Sequence, residues 1–508
     1  MGLLQVHSFV AGQWAAPAGG AVPLHNAFTG ALIGHAGAGA PDVAAMHDHA
    51  LATGGPALRA MTFHDRARML KALAQYLSAR KDELYELSYL TGATKSDSRI
   101  DIDGGIGTTF VFASKGRREM PDAHVYLDGD VEMLSRHGSF VGQHVCTPLQ
   151  GVAVHINAFN FPVWGMLEKL APTLLAGMPA IVKPATVTGY LTEAAFRMII
   201  ESGLLPDGAV QLVSGRLGPL LDMLGPQDAV SFTGSAVTGV MLRGTPNLLE
   251  RSVRFSAEQD SLNATILGPD VMVGDPEFDL FIKEAAGEIT AKAGQKCTAV
   301  RRILVPEALR QPVAEALRAA LDDVAIGDPR LKEVGMGALA SGGQKQDVLA
   351  KCEMFKGEAR CIIGGEAPRL TGEDLAGGAF VAPTIFDCAN PDGATHLHEQ
   401  EAFGPVACLM AYRELGHAAV LANRGGGALV TSVVTRDREV AHSLVAASAC
   451  HHGRLYFNNR DSMAEATGHG APLPHMVHGG PGRAGGSEEL GGVRAVKHYM
   501  QRLSLIHI

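Results

Sequence analysis

GVAVHINAFNFPVWGMLEKLAPTLLAGMPAIVK, residues Gly151 to Lys183, decides the fold. It opens and closes on short β-branched runs, VAVHI and PAIVK, separated by a segment long enough for a helix. The same unit repeats outward from it through AVQLV, AVSFTG and SVRFSA, as far as Leu267. Strands this short, alternating with helix-length connections, predict a parallel sheet with crossover helices, and so an α/β fold.

A second alternation starts at Asn263. ATILG is followed by a helical stretch from Phe278 to about Ala293, then by VRRILVP, AFVAPTIF and ALVTSVVT, which predicts a second α/β domain. Upstream, the span Asp65 to Thr91 carries Met69, Leu70, Leu73, Leu77, Leu84 and Leu87 as one helical stripe beside a charged face, an amphipathic helix. Two runs between Val125 and Val145, turning near Arg136, His137 and Gly138, read as a hairpin-like arm, and GGVRAVKHYMQRL at the C-terminal end reads as a further extended segment. Isolated hairpins are marginal in water, so these strands are expected to pair with each other and with another subunit. Leu503 to Ile508 continue no legible pattern and read as a foreign or truncated end.

The 508 residues suffice for two to four packed units at roughly 100 to 200 residues each. With 43 Lys plus Arg against 52 Asp plus Glu, the net charge is -9, which argues against a broad nucleic-acid or anionic-membrane surface. Seven cysteines with no CxxC pair fit neither a disulfide framework nor a zinc cage, and point to a reducing cytoplasm. The first residues lack the basic and apolar regions of a signal peptide, no apolar run is long enough to span a bilayer, and Val6 stands where a myristoylation signal needs Ser or Thr.

Three residue types stand out chemically. Cys297, in AGQKCTAVRR, lies between a helical segment and a strand with Lys292, Gln295, Lys296 and Thr298 around it. That setting is expected to favour the thiolate, the nucleophilic form, where the other six cysteines read as small buried hydrophobes. Glu258 ends an apolar run in RFSAEQDSLN, at a strand end where ligands collect in α/β folds. Asn157 and Asn160 sit in the apolar loop INAFNFPVW, and each reads as either a turn-stabilising amide or an oxyanion donor.

Taken together, AFNFP, IVKPA, FTGSAVTG, the Glu258 strand, GQKC and EAFGPV stand in the order and approximate spacing of the aldehyde dehydrogenase superfamily, which the chain resembles from about Phe9 to Arg502. The resemblance implies a Rossmann-type cofactor domain (1-122 and 150-262), an α/β catalytic domain (263-483) and an oligomerisation arm (123-149 and 484-503) that makes a homodimer or higher homo-oligomer. It implies Cys297 as nucleophile, Glu258 as general base and Asn160 as oxyanion amide. Lys183, Thr186, Gly234, Ser235, Gly239, Glu401 and Phe403 become cofactor contacts, and Asn157 keeps its turn role.

Longer stretches, among them EQDSLN and HGGPGRAGGSEELGGVRAVKHYMQR, resemble the branch that oxidises CoA-linked semialdehydes after aromatic ring opening. PALRAMTF, DGGIGT and VKHYMQR lean toward phenylacetate over benzoyl-CoA breakdown. A CoA-acylating dehydrogenase and a noncatalytic member are the rival readings. A CoA-acylating enzyme has no need of the water-activating Glu258, and a noncatalytic one would be free to lose it.

In places the chain departs from the family or matches other motifs only on paper. Gln259, Asp260, Ser261, Leu262 and Asn263 replace the family's smaller residues, and are expected to form a bulkier, more polar substrate wall. Thr186 stands where a ribose-binding glutamate is common, so NADP is expected over NAD. GPGRAG from Gly480 is too near the C-terminus for a dinucleotide fingerprint, and reads as a loop near the substrate mouth. HLHEQEAF is no HExxH, no metal is expected, and His451 and His452 read as a polar turn.

Overall fold

The computed structural model describes residues 2–507, so Met1 and Ile508, the ends of the first and last spans discussed above, lie outside it. Two seven-stranded sheets form its centre. In the first, the strands run in the order Arg254–Glu258, Ala229–Thr233, Ala153–Ile156, Ala180–Lys183, Val210–Leu212, Ser8–Val10, Gln13–Ala15. The first five are parallel, and the last two form an antiparallel N-terminal edge.

The chain moves outward from Ala153–Ile156 in one direction and then returns to build the other side. The switch point therefore falls between that strand and Ala229–Thr233, where α/β sheets open a ligand crevice. Alternate residues of the Ala153–Ile156 strand feed two separate cores. Val154 and Ile156 pack with Phe232 and Leu220 on one face, while Ala153 joins Leu167, Leu170 and Leu174 on the other.

The second sheet runs Arg360–Ile363, Thr384–Cys388, Val406–Tyr412, Arg302–Pro306, Ala264–Leu267, Thr431–Val434, Leu455–Asn458, parallel throughout except at its first edge. The helices Pro276–Thr290 and Arg310–Asp322 cover one face through Phe281, Ile289, Val313 and Leu317.

The amphipathic span is two helices, Phe63–Arg80 and Asp82–Ser88, with a turn of 3-10 helix after them. Thr62 starts the first with a capping box: its hydroxyl accepts from the Asp65 N–H at 3.1 Å, and the Asp65 carboxylate accepts from the Thr62 N–H at 3.0 Å. The expected stripe Met69, Leu70, Leu73, Leu77 and Leu84 is buried.

The arm needs correcting. Tyr126–Leu127, Glu132–Met133 and Val141–Pro148 are strands, but VRAVKH is a helix, Val493–His498, whose Ala495 and Val496 pack into the first domain's core. The span 484-503 thus mixes arm with body. The last strand is Met500–Ile506, paired antiparallel with the arm from Met500↔Pro148 to Ile506↔Gly142. Leu503 to Ile506 accordingly continue a sheet; their alternation was illegible because an edge strand on a thin arm buries neither face.

Two histidine readings also change or sharpen. His452 is buried and bonded to Thr431 and Asn423 at 3.1 Å each, so instead of a polar turn it is a brace between the Thr431–Val434 strand and the end of the Leu415–Asn423 helix. His398 is spent on Arg302 and the Pro391 carbonyl. Among the described residues no helix is long and apolar enough to cross a membrane.

Candidate active site

Cys297 sits on the loop between the Pro276–Thr290 helix and the Arg302–Pro306 strand. The loop turns sharply at Lys292 (φ 55°) and Ala293 (φ 50°), left-handed conformations that cost non-glycine residues energy and persist only when the surroundings fix them. Several bonds do so. The Lys292 N–H donates to Asp97 Oδ1 at 2.7 Å, and the Ala340 N–H donates to Gln295 Oε1 at 2.9 Å. Asn263 Nδ2 donates to the carbonyls of Cys297 (2.8 Å) and Ala299 (3.0 Å). Gly294, at φ +68°, lets the loop touch its neighbour: a Cβ there would lie 2.1 Å from the Gly404 carbonyl oxygen.

Arg301 is the hub of this arrangement. It donates to the carbonyls of Gly294 (3.0 Å), Lys296 (3.2 Å) and Gly404 (2.8 Å), and to Glu401 Oε1 (3.1 Å). The other Glu401 oxygen accepts from the Ser261 N–H at 3.1 Å. Burial drives the Glu401 carboxyl up to about 7 even though Arg301 opposes the shift.

A cavity of about 400 Å³ opens over the thiol, lined by Asn160, Glu168, Glu258, Cys297, Thr298 and His478 among others. The fold therefore brings the three principal candidates together. The Cys297 sulfur lies within 4.8 Å of a Glu258 carboxylate oxygen, and Asn160 Nδ2 donates to the Gln295 carbonyl at 3.0 Å. That leaves the second amide N–H of Asn160 to serve the cavity.

The expected cationic surroundings of Cys297 do not exist. Lys296 is held 2.8 Å from both oxygens of Glu288, and Lys292 lies over the Phe161 ring beside Asp97 and Asp101. Burial and the carboxylates of Glu258, Glu168 and Glu401 instead hold the thiol pKa well above its ordinary value. A one-dimensional neighbourhood misreads charge here, because the two lysines leave the loop in other directions.

Sequence reasoning missed His478, on the Val477–Gly479 strand. Its Nε2 lies 3.3 Å from Glu258 Oε2, with both side chains 4% exposed. Burial opposes charge on each, but their mutual attraction wins: the Glu258 carboxyl falls well below the usual carboxylate range and the His478 imidazole rises above its own. Across the Val477–Gly479 hairpin, His478 faces Glu489, whose carboxylate meets Lys169 Nζ at 3.1 Å. Lys169 also donates to Thr233 at 2.8 Å. The adjacent charged pair Glu168-Lys169 inside an otherwise apolar helix was the available signal for this network.

Other readings move. Both amide atoms of Asn157 are buried without a hydrogen-bond partner among the described residues, so it makes no side-chain turn. Gln259 through Asn263 do not line the cavity. Ser261 and Asn263 brace the Glu401 and Cys297 loops, and Asp260 accepts from the Ala236 N–H at 2.8 Å and from Arg483 at 3.1 Å. GPGRAG packs behind the Glu258 strand, where the Gln259 N–H donates to the Ala484 carbonyl at 3.0 Å; Thr467, Gly470, Ala471 and Pro472, just upstream, line the cavity instead.

The cofactor candidates border the switch point. Lys183 ends its strand, with Nζ on the Pro184 carbonyl at 2.8 Å, and Thr186 opens the 3-10 turn that follows. The Gly234 N–H donates to the Glu258 carbonyl at 3.1 Å, and Ser235 caps the helix Ala236–Arg243. Gly239 gives Gln259 room, since a Cβ there would lie 2.1 Å from Nε2. Phe403 stacks edge-on against Phe159 at 5.8 Å. The Ala236–Arg243 helix exposes Val237 (82%), Val240 (70%) and Met241 (66%), an apolar face that could take the flat ring of an adenine.

The chain matches the aldehyde dehydrogenase family over residues 14–503. It is 40% identical over 480 residues, 94% of this chain and 93% of the relative, to the 3,4-dehydroadipyl-CoA semialdehyde dehydrogenase of Aromatoleum evansii. It is 49% identical to Protein MaoC of Klebsiella aerogenes over 172 residues, 34% of this chain and 50% of that protein. The structure superposes on HpcC from Thermus thermophilus with a TM-score of 0.86 (23% identity, covering 99% and 93% of the two chains). A betaine aldehyde dehydrogenase from Staphylococcus aureus in complex with NAD+ gives 0.84 (21% identity, 99% and 95%). With its doubly wound sheet, its second sheet and the thiol between them, the chain belongs to the aldehyde dehydrogenase family, oxidoreductases acting on aldehydes.

Proposed function

We propose that the chain oxidises a CoA-linked semialdehyde, formed when an activated aromatic ring is opened, to the carboxylic acid, with NADP as the preferred acceptor. The observation that carries the chemistry is the meeting of Cys297, Glu258 and Asn160 in one buried cavity. The CoA-linked substrate is supported by the 40% identical relative, which bears that activity in its name.

In this reading residues 1-122 and 150-262 hold the cofactor, 263-483 carry the nucleophile, and the arm joins subunits. Lys183, Thr186, Gly234, Ser235, Gly239, Glu401 and Phe403 make the cofactor cradle. A bound nicotinamide dinucleotide supplies the hydride acceptor.

Glu258 takes the thiol proton as the aldehyde enters, and the Cys297 sulfur adds to the carbonyl carbon. The developing alkoxide is met by the free N–H of Asn160 and the backbone N–H of Cys297, donors of a kind whose loss costs about 3 kcal/mol in the transition state. Oxidation leaves a thioester on Cys297. Once Glu258 has released that first proton to solvent it removes a proton from water, the water oxygen bonds to the acyl carbon, the C–S bond breaks, and the carboxylic acid departs as the Glu258 proton returns to the sulfur and restores the thiol.

Two ring-opening products remain in view. The Aromatoleum relative favours 3,4-dehydroadipyl-CoA semialdehyde, and the stretches PALRAMTF, DGGIGT and VKHYMQR favour the phenylacetate-derived one. The test is cofactor reduction with both CoA-linked semialdehydes and with free ones, in the presence and absence of added CoA. Equal kcat/KM on free and CoA-linked substrates would overturn the substrate class. A dependence on CoA would make the enzyme acylating.

The Thr186 hydroxyl puts no charge against a 2'-phosphate, and Lys183 is a compact cation nearby. Thr186→Glu is expected to shift preference toward NAD at least tenfold. A wild type with equal kcat/KM for NAD and NADP contradicts the assignment.

A further inference from the structure

Cys297, Glu258 and His478 present one sulfur, one carboxylate oxygen and one imidazole nitrogen, all within 4.8 Å of one another in the buried cavity. Glu258 Oε1 has no hydrogen-bond partner among the described residues, although the side chain is almost wholly buried. We propose that these three side chains form a reversible zinc-binding site that holds the enzyme inactive.

Sulfur, nitrogen and oxygen donors in a set of three are what zinc takes in open sites, with a fourth position left for water. Tetrahedral zinc with bonds of about 2.0 to 2.3 Å places ligand atoms roughly 3.5 Å apart. His478 Nε2 and Glu258 Oε2 already stand 3.3 Å apart, so closing the site is a matter of side-chain adjustment. Charge agrees as well. A dication bound by a thiolate and a carboxylate is neutral overall, which removes most of the penalty for burying it.

On binding, the Cys297 S–H and the His478 imidazolium Nε2–H each give a proton to solvent, the sulfur and the freed Nε2 each donate a lone pair to the metal, and His478 keeps its other proton on Nδ1. No oxidant or reductant is needed. The soft sulfur selects zinc over magnesium or calcium. The metal then occupies both the sulfur that must attack the aldehyde and the carboxylate that must activate water. The inhibitory consequence rests on the catalytic roles given above, whereas the binding rests on the three side chains alone.

Metal-free full-length enzyme is titrated with cobalt(II) as a spectroscopic probe and then with zinc. One cobalt per chain is expected, with an intense thiolate-to-cobalt charge-transfer band, displaced by zinc. Cys297→Ser should abolish the band, His478→Gln should weaken zinc at least tenfold, and Cys450→Ser, at an exposed thiol, should change nothing. Circular dichroism checks folding of each variant.

Independently of any variant, zinc should protect Cys297 of the wild type from alkylation, read by peptide mass spectrometry, and a chelator should remove that protection. Absence of cobalt uptake, a charge-transfer band surviving in Cys297→Ser, zinc affinity unchanged in folded His478→Gln, or unprotected Cys297 each overturns the site. Binding without loss of aldehyde oxidation would overturn only the inhibitory role, and would count against Cys297 as nucleophile.

Discussion

At rest burial and the carboxylates of Glu258, Glu168 and Glu401 favour the protonated thiol at Cys297, and Glu258, within 4.8 Å of the sulfur, is the group placed to take its proton. The sign of the pH dependence follows. The pre-steady-state burst of reduced cofactor should quicken as pH rises above neutrality, since a raised thiol pKa leaves little thiolate at pH 7. Cys297→Ala should remove the burst while cofactor binding survives. Glu258→Gln should give a burst slowed at neutral pH, restored at higher pH, and followed by a stalled thioester detectable by intact mass. His478→Phe tests the ion pair separately: without the imidazolium, burial is opposed chiefly by Lys169 and the Glu258 pKa rises, so the acid limb of kcat should move to higher pH. A limb that stays in place would mean that Lys169 alone keeps Glu258 ionised.

The loop that carries Cys297 is stable only as part of a pair with the loop that carries Glu401. Arg301 donates to three carbonyls and one carboxylate between them, so Arg301→Met strips the Gly294 carbonyl and Glu401 Oε1 of their donor, leaves the buried Glu401 without its counter-charge, and should cost on the order of 3 to 5 kcal/mol in urea unfolding. Glu401 adds a pH signature of its own. Its folded pKa of about 7 lies above the ordinary carboxylate value, so the folded state binds the extra proton, and its contribution to stability falls as pH rises between about 4.5 and 7. Glu401→Gln should flatten that fall when melting temperatures are compared at pH 5 and pH 7.5; an unchanged difference would mean that Glu401 titrates normally. This element also marks how far the sequence could be read. The strands around Gly151 to Lys183 were legible because each is a local run, and Cys297, Glu258 and Asn160 because each ends or follows one. The Arg301–Glu401 bond spans 100 residues, and the His478–Glu258 pair joins the last hairpin to the first sheet. Side chains paired across the fold leave no periodic trace, which is why Gln259 through Asn263 looked like a substrate wall and prove to be braces.

In the molecule as a whole, several large apolar side chains stand exposed on the arm. Leu127 (56%), Met133 (64%) and Leu503 (51%) are exposed on a thin sheet of four strands, too small to stand alone in water. Lys497, on the Val493–His498 helix, ties that sheet to the body through Asp128 at 2.5 Å, and Arg502 of the sheet's own last strand holds the same Asp128 at 2.7 Å, so the arm is fixed at its root while these apolar residues stay exposed. A second copy of the chain, covering these residues with its own arm or body, is the occupant that the proposed oligomer supplies. At roughly 25 cal/mol per Å² of apolar area removed from water, a few such side chains contribute several kcal/mol to assembly. Replacing Met133 and Leu503 together by glutamate should therefore shift the mass measured by light scattering toward the monomer at micromolar concentration. The cofactor crevice, formed within one chain, should keep its binding. Thermal stability should fall and become independent of protein concentration, because the linkage between folding and association is lost. A wild type that is already monomeric at that concentration, or a double variant that assembles like the wild type, would mean that the arm's apolar residues serve something other than self-association.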